Sequence, residues 1–228
     1  MPFEEAEERL GLRIKNIKGV APEIIMANAQ YSVAADARKE TKERVYRHIV
    51  EYLQIGGYPT FEENDVHDLV LYIIGPVLFD FISMTGRDSI QLSREKEIIS
   101  VDAQTGGNEE FVVVDEISVR EEQVVFIVEA KRTCVGQAMK QILLSLKDAR
   151  DNIGGGVVYG FVTTGQIWQM LSYDGASFQM ASEIMAVFNG MDGNKEGWMK
   201  NCSIIVDCLF FALENGGMKN VVVGAGKK

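Results

Sequence analysis

The stretch from Val124 to Arg132 reads VVFIVEAKR, and the interpretation of the whole chain begins there. Its five leading apolar residues predict a buried strand. Residues two apart on a strand share a face, so Glu129 and Lys131 should stand side by side while Ala130 faces the other way. Ionised groups near a core are costly unless they are paired or bound to metal. The triplet therefore indicates either a structural ion pair at a sheet edge or a catalytic site.

The preceding residues 110–119, EFVVVDEISV, predict a second strand that pairs with residues 124–131 through a connection at 120–123. A three-residue connection puts Asp115 on the face of Glu129 and Lys131. A two- or four-residue connection puts Glu116 there instead, because one step of register turns every side chain to the other face. Either acid beside Glu129 would create a pair of carboxylates suited to Mg²⁺ or Mn²⁺, with a neighbouring cation to orient an attacking water.

The remaining periodicities predict an α/β fold with a central mixed β-sheet flanked by helices. Gly75-Pro76 lies inside one of the helical patterns and predicts a kink or a break. Residues 1–60 are expected to form a helical extension, packed as one unit with a domain over 61–228. The predicted helices cover 33–54, 62–84, 134–151 and 198–214, and the predicted strands cover 97–102, 110–119, 124–131, 157–163, 166–173 and 177–188.

Composition narrows the class of protein. The net charge of −10 argues against a protein that coats nucleic acid by charge alone. Cys134, Cys202 and Cys208 show no metal-ligand spacing and, without a signal peptide, predict an intracellular protein of the cytoplasm or nucleus. No uninterrupted apolar run approaches the roughly 18 residues of a membrane helix. We therefore expect no membrane partner.

Asp115 followed by Glu129-Ala130-Lys131 resembles the D-xn-ExK signature of the PD-(D/E)XK nuclease superfamily. The resemblance covers roughly residues 62–165 and implies a restriction-endonuclease-like core. It implies that Asp115 and Glu129 bind Mg²⁺ or Mn²⁺, that the carbonyl of Ala130 adds a ligand, and that Lys131 assists the attacking water. Val114 stands where many members of the superfamily have proline.

Two further positions are similar to features of that superfamily. Glu63 matches an acid on the helix that precedes the sheet and would add a metal ligand. Gln137 and Gln141 match a glutamine on the helix after the E-x-K strand, with Gln141 preferred. The resemblance implies an endonuclease that hydrolyses phosphodiester bonds of nucleic acid, of DNA rather than RNA. Many nucleases of this superfamily act as dimers, so the resemblance also points to a homodimer. The amphipathic N-terminal helices could supply its interface.

Two other classes of protein stay open. A catalytically inactive module of the same fold would bind protein or nucleic acid, and the acidic net charge favours it because that charge opposes a polyanion. An enzyme acting on a small molecule would need a cofactor motif, and Gly154-Gly155-Gly156 precedes a strand, so it is no phosphate loop.

Overall fold

The computed structural model of the protein describes residues 1–27, 29–59, 63–102, 104–118, 121–132 and 135–217, without the side chains of residues 63, 64 and 135. The helices in these ranges are α1 (Phe3–Leu10), α2 (Pro22–Ile25), α3 (Ala35–Gly56), α4 (Glu63–Thr85), α5 (Val135–Ile153), α6 (Lys195–Asn201) and α7 (Ile204–Asn215). The strands are β1 (Gly19–Val20), β2 (Ile90–Ile99), β3 (Gly106–Ser118), β4 (Glu121–Ala130), β5 (Val158–Thr163), β6 (Ile167–Tyr173), β7 (Phe178–Ala181) and β8 (Ile184–Met185).

The strands form one mixed sheet in the order β1-β7-β6-β5-β4-β3-β2, with β8 paired to β6. Strands β2, β3 and β4 are an antiparallel meander. Helix α5 then leads to β5, which pairs with β4 in parallel, and β6 returns antiparallel to β5. The predicted α/β class, with a mixed sheet flanked by helices, is confirmed.

Apolar side chains fill both faces of the sheet. On one face, α4 and α7 pack against the sheet at β4, and α3 packs on α4 and α7, with Ile49, Ile73 and Phe210 among the buried residues. On the other face, α5 packs against β3, β4 and β5 through Ile142 and Leu146. Alternation along a strand explains the division, since Phe111 lies in the first core and Val112 in the second.

Helix α4 is continuous through Pro76, so of the predicted kink or break at Gly75-Pro76 the break is wrong and the kink stays a prediction. Its segment Asp65–Thr85 has a mean hydropathy of 1.6 and is long and apolar enough to cross a membrane by composition alone. Half of that segment is buried in the protein, where it packs against α3, α7 and β4. Among the described helices, α4 thus has the composition of a core helix as well as that of a membrane span.

The N-terminal segment joins the sheet. β1 pairs in parallel with β7, where Gly19 stands opposite Met180. Helix α1 packs on α5, and Arg9 forms two hydrogen bonds of 2.8 and 2.9 Å with the carboxylate of Asp102. The segment therefore contributes to both faces and to one edge of the fold.

Candidate active site

The register of the β3–β4 hairpin separates Asp115 from Glu129. β4 begins at Glu121, earlier than predicted, so Asp115 pairs with Gln123 and Phe111 with Val128. Asp115 forms an ion pair with Arg87, and Glu116 accepts a 2.9 Å hydrogen bond from Gln91. The prediction that one of these two acids lies beside Glu129 is wrong. The strands already pair within the predicted connection at 120–123, and the resulting register places both acids away from Glu129.

Arg87 explains what Asp115 does instead. The Arg87 side chain also donates a 3.0 Å hydrogen bond to the carbonyl oxygen of Leu213, so the ion pair links β3 to the end of α7. Burial alone would raise the pKa of Asp115, but hydrogen bonds from Ser89 and Arg87 outweigh it and hold that pKa below its ordinary value. Asp115 is thus an ionised structural residue.

Glu110 occupies the position that Asp115 was expected to take. Because Phe111 lies opposite Val128, Glu110 is the next residue of β3 toward Glu129. One of its carboxylate oxygens accepts a hydrogen bond from the Lys131 ammonium, and the other accepts a 2.9 Å hydrogen bond from the backbone N–H of Ala130. Glu110 is therefore fixed against the E-x-K triplet at both oxygens.

Glu129 and Lys131 lie side by side, as the sequence predicted. The Lys131 Nζ is 2.9 Å from the Glu129 Oε1, yet neither oxygen of Glu129 has a hydrogen-bond partner with good geometry. The Glu129 residue is fully buried, at 0% exposure. Burial would lower the pKa of Lys131, but its contacts with Glu110 and Glu129 raise it overall. Lys131 is therefore an ammonium group shared by two carboxylates.

A third acid, Glu109, adjoins Glu129 on the α5 side. The Ser145 hydroxyl of α5 donates a hydrogen bond to one oxygen of Glu109. Burial raises the pKa of Glu109, and the Ser145 hydrogen bond only partly opposes this. Burial likewise raises the pKa of Glu129, and the Lys131 contact partly opposes it. The two carboxyls also perturb each other, so their ionisation is linked.

His67 of α4 approaches from the opposite face of the sheet. Its Nε2 lies 3.3 Å from a carboxylate oxygen of Glu110, and its ring meets Phe111 edge to face at 5.4 Å. Neither His67, Glu109 nor Glu110 was singled out from the sequence as a site residue. The register of the β3–β4 hairpin decides that Glu110 adjoins the E-x-K triplet, and the pattern of apolar residues does not reveal that register.

The other predicted residues lie around this cluster. Gln141 stands one turn before Ser145 on α5 and lines a cavity that Glu109 also lines. Gln137 is exposed on the first turn of the same helix. Ala130 has its side chain in the core beneath α4, on the opposite face from Glu129. The side chain of Glu63 lies outside the described residues, so its predicted role as a ligand stays a prediction.

The donor set fits a hard divalent cation. Glu110 and Glu129 offer carboxylate oxygens, which Mg²⁺ and Mn²⁺ prefer, and both contact the same ammonium nitrogen. An entering ion would take over contacts that Lys131 now makes. As the described side chains stand, three or more His, Cys, Asp or Glu residues do not group around a common ion position.

Comparison with known proteins adds no assignment. No protein-family model matches this chain, and a search of curated proteins finds no match. The interpretation of the site therefore rests on its geometry and chemistry.

Proposed function

We propose that this protein is a Mg²⁺- or Mn²⁺-dependent nuclease of the PD-(D/E)XK type that hydrolyses phosphodiester bonds in DNA. The proposed active-site residues are Glu110, Glu129 and Lys131, with Glu110 replacing Asp115 as the first acid. The observation that carries the proposal is the convergence of Glu110 and Glu129 on one ammonium group, where the end of β4 lies beside β3.

The arrangement of elements supports the same proposal. The elements follow one another as α4-β2-β3-β4-α5-β5. This is a helix, an antiparallel three-stranded meander, a second helix and a strand parallel to the last strand of the meander. This order agrees with the restriction-endonuclease-like core that the sequence led us to expect. In this protein β4, which carries the E-x-K triplet, lies inside the sheet between β3 and β5, and α5 covers it.

The chain's own residues have separable tasks in such a reaction. A bound divalent ion would polarise the phosphodiester and lower the pKa of a coordinated water. Glu110 and Glu129 would hold that ion, and the N–H of Ala130 would keep the Glu110 carboxylate in place. Lys131, released from one carboxylate, would donate hydrogen bonds to the attacking water or to a phosphate oxygen. The water adds to phosphorus and the strand's oxygen leaves, giving a phosphate monoester and an alcohol.

The test compares two acids on the same strand. Purified protein is incubated with Mn²⁺ or Mg²⁺ and with single- and double-stranded DNA and RNA. We expect the parent to cleave DNA, and Glu110→Gln and Lys131→Ala to lose cleavage by about a hundredfold or more. The matched control Asp115→Asn should keep most of the activity, because its partner is Arg87.

Two results would contradict the proposal. Intact substrates with the parent protein would exclude nuclease activity under these conditions. Loss of cleavage in Asp115→Asn, with activity retained in Glu110→Gln, would return the role of first acid to Asp115.

The inactive binding module is the second candidate, and the closed ion cluster favours it. Lys131 already contacts two carboxylates, so the charge of the acids is partly offset without a metal. Titration with Mn²⁺ followed by thermal unfolding separates the candidates. A metal site raises the melting temperature through linkage, and Glu110→Gln should abolish the rise. Nucleic-acid binding without that rise and without cleavage would favour the module.

A further inference from the structure

Arg94 of β2 is an exposed cation beside the proposed active site. It stands directly opposite Phe111 in the register of β2 and β3, and Phe111 is the residue after Glu110. The guanidinium carbon of Arg94 lies 5.3 Å from the centre of the Phe111 ring, a distance at which a cation and an aromatic ring attract each other. This contact keeps the Arg94 side chain against β3 next to the site.

The same ring connects Arg94 to the acids of the site. The His67 ring meets Phe111 edge to face at 5.4 Å, and the His67 Nε2 lies 3.3 Å from a carboxylate oxygen of Glu110. Phe111 belongs to the core on the α4 face of the sheet, so Arg94 and His67 lie on that face together. One buried aromatic side chain therefore separates the guanidinium from the site.

The N–H groups of Arg94 are available to an anion. Several other arginines are neutralised by acids, as Arg44 is by Asp80 and Arg87 is by Asp115. Within the part of the chain that the structure describes, no carboxylate forms an ion pair with Arg94. A contact with an aromatic ring leaves most of the donors of a guanidinium free for another acceptor.

The exposure of the charged groups around the site favours the approach of an anion. The side chain of Lys131 is 35% exposed, whereas that of Glu110 is 12% exposed and that of Glu129 is fully buried. The cations Lys131 and Arg94 thus reach solvent while the carboxylates lie largely beneath them. A local excess of accessible positive charge can attract a polyanion even though the whole chain carries a net charge of −10.

We propose that Arg94 binds a backbone phosphate of the DNA, one that flanks the cleaved phosphate. This inference rests on the proposed nuclease function and names a substrate-binding residue for it. Each strand of double-helical DNA carries one phosphate per roughly 3.4 Å of its axis, so a cation one side chain away from the site is in range of a neighbouring phosphate. The planar guanidinium binds such a phosphate in a bidentate manner. The contact positions the strand without reading its sequence.

The first experiment measures binding to intact DNA. A fluorescently labelled duplex is titrated over a series of salt concentrations, in EDTA and again with Ca²⁺ in place of Mg²⁺, and followed by anisotropy. Arg94→Met keeps an apolar stem over Phe111 and removes the charge. We expect it to bind about tenfold more weakly than the parent, and its plot of log K against log salt to be shallower by about 0.9, the contribution of one phosphate contact. An unchanged slope, or a parent that does not bind the duplex, would overturn the proposal.

Two further variants locate the effect. Arg94→Lys keeps the charge without the bidentate geometry, so it should keep the slope of the parent and bind more tightly than Arg94→Met. The matched control Arg47→Met removes an exposed arginine from α3, which packs on other helices, and it should bind as the parent does. A slope lowered equally by Arg47→Met would assign the effect to the net charge of the protein and contradict a contact at Arg94.

Steady-state cleavage with Mg²⁺ gives a second readout. A contact with a phosphate that does not react is equally strong in the ground state and the transition state. Arg94→Met should therefore raise KM about tenfold and change kcat little. A fall in kcat with KM unchanged would contradict the assignment to a flanking phosphate.

Failure of this inference is distinguishable from failure of the proposed function. A duplex bound with a slope that depends on Arg94, by a protein that cleaves nothing, would leave the phosphate contact standing and remove the nuclease. Cleavage by a protein whose slope is the same in the parent and in Arg94→Met would support the nuclease and remove the contact.

Discussion

At the scale of single residues, the adjoining carboxyls of Glu109 and Glu129 are two buried acids whose ionisation depends on each other. Burial raises the pKa of both above the ordinary value of 4.5. The folded protein therefore binds more protons than the unfolded chain in the range above that value. The free energy of unfolding must then fall as the pH rises through this window, since the group with the raised pKa is favourable only while protonated.

The variant Glu109→Gln tests whether the free energy of unfolding falls as the pH rises. In EDTA, the parent should lose stability between pH 5 and pH 8, and the variant should lose less, by on the order of 2 kcal/mol. The amide stays neutral over the range and keeps a partner for Ser145, so it removes the titration with little change in shape. Urea unfolding at both pH values measures the difference. The same pH dependence in parent and variant would assign the effect to other groups.

The residues of the candidate site were accessible to sequence reasoning to different degrees. Glu129 and Lys131 follow from strand alternation, which depends only on neighbours in the chain. The partner acid depends on the register of the hairpin, and the pairing shifts between Val113 and Val114. Such a shift leaves no mark in the pattern of apolar residues, so Glu110 could not be chosen over Asp115 from the sequence.

At the scale of elements, the contact of α5 with β5 shows how closely a helix can approach this sheet. Gly160 of β5 lies directly beneath α5. A Cβ at this position would come within 2.9 Å of Ile142 and 3.1 Å of Leu146. The backbone there needs no unusual conformation, so the glycine serves the packing distance alone.

Gly160→Ala should therefore destabilise the protein by about 1–3 kcal/mol, because the added methyl group overpacks a filled core. The control Gly155→Ala, where a Cβ meets no atom within 4 Å, should be close to neutral or slightly stabilising. Urea midpoints of the two variants give the comparison. A Gly160→Ala protein as stable as its control would mean that α5 moves away at no cost.

The pattern of apolar residues predicted some helices and strands more accurately than others. The apolar stripe of α5 predicted that helix within two residues at each end, since one face packs on the sheet and the other meets solvent. Strand β2 was predicted at 97–102 but spans Ile90–Ile99. It is an edge strand whose side chains include Arg94, Glu95 and Lys96, so it carries few of the apolar residues by which strands are recognised.

At the scale of the whole molecule, α3 covers one side of α4, the helix long and apolar enough to cross a membrane. Thr41, Val45 and Ile49 of α3 are buried, and α3 packs along α4. Thr41 also donates a 2.8 Å hydrogen bond to the carboxylate of Asp80 on α4. The division into a 1–60 extension and a 61–228 domain therefore cuts through a packed pair of helices.

A fragment of residues 61–228 should consequently fail to fold as a stable monomer. Without α3 it would expose the apolar face of α4, and exposed patches of this kind cause aggregation. A truncation that removes only residues 1–12 keeps α3 and should unfold cooperatively. Circular dichroism on heating and binding of a hydrophobic dye compare the two fragments. Cooperative unfolding of the 61–228 fragment at the parent's temperature would make the extension dispensable.

The pairing of β1 with β7 has a consequence for how the protein is made. Gly19 emerges from the ribosome well before its partner Met180, because strands β2 to β6 and helices α2 to α5 are synthesised between them. Domains begin to fold as they are translated, but a contact this distant in sequence cannot form until both partners are free. β1 therefore cannot take its place until β7 has been synthesised, and this edge of β7 stays uncovered until β1 pairs with it.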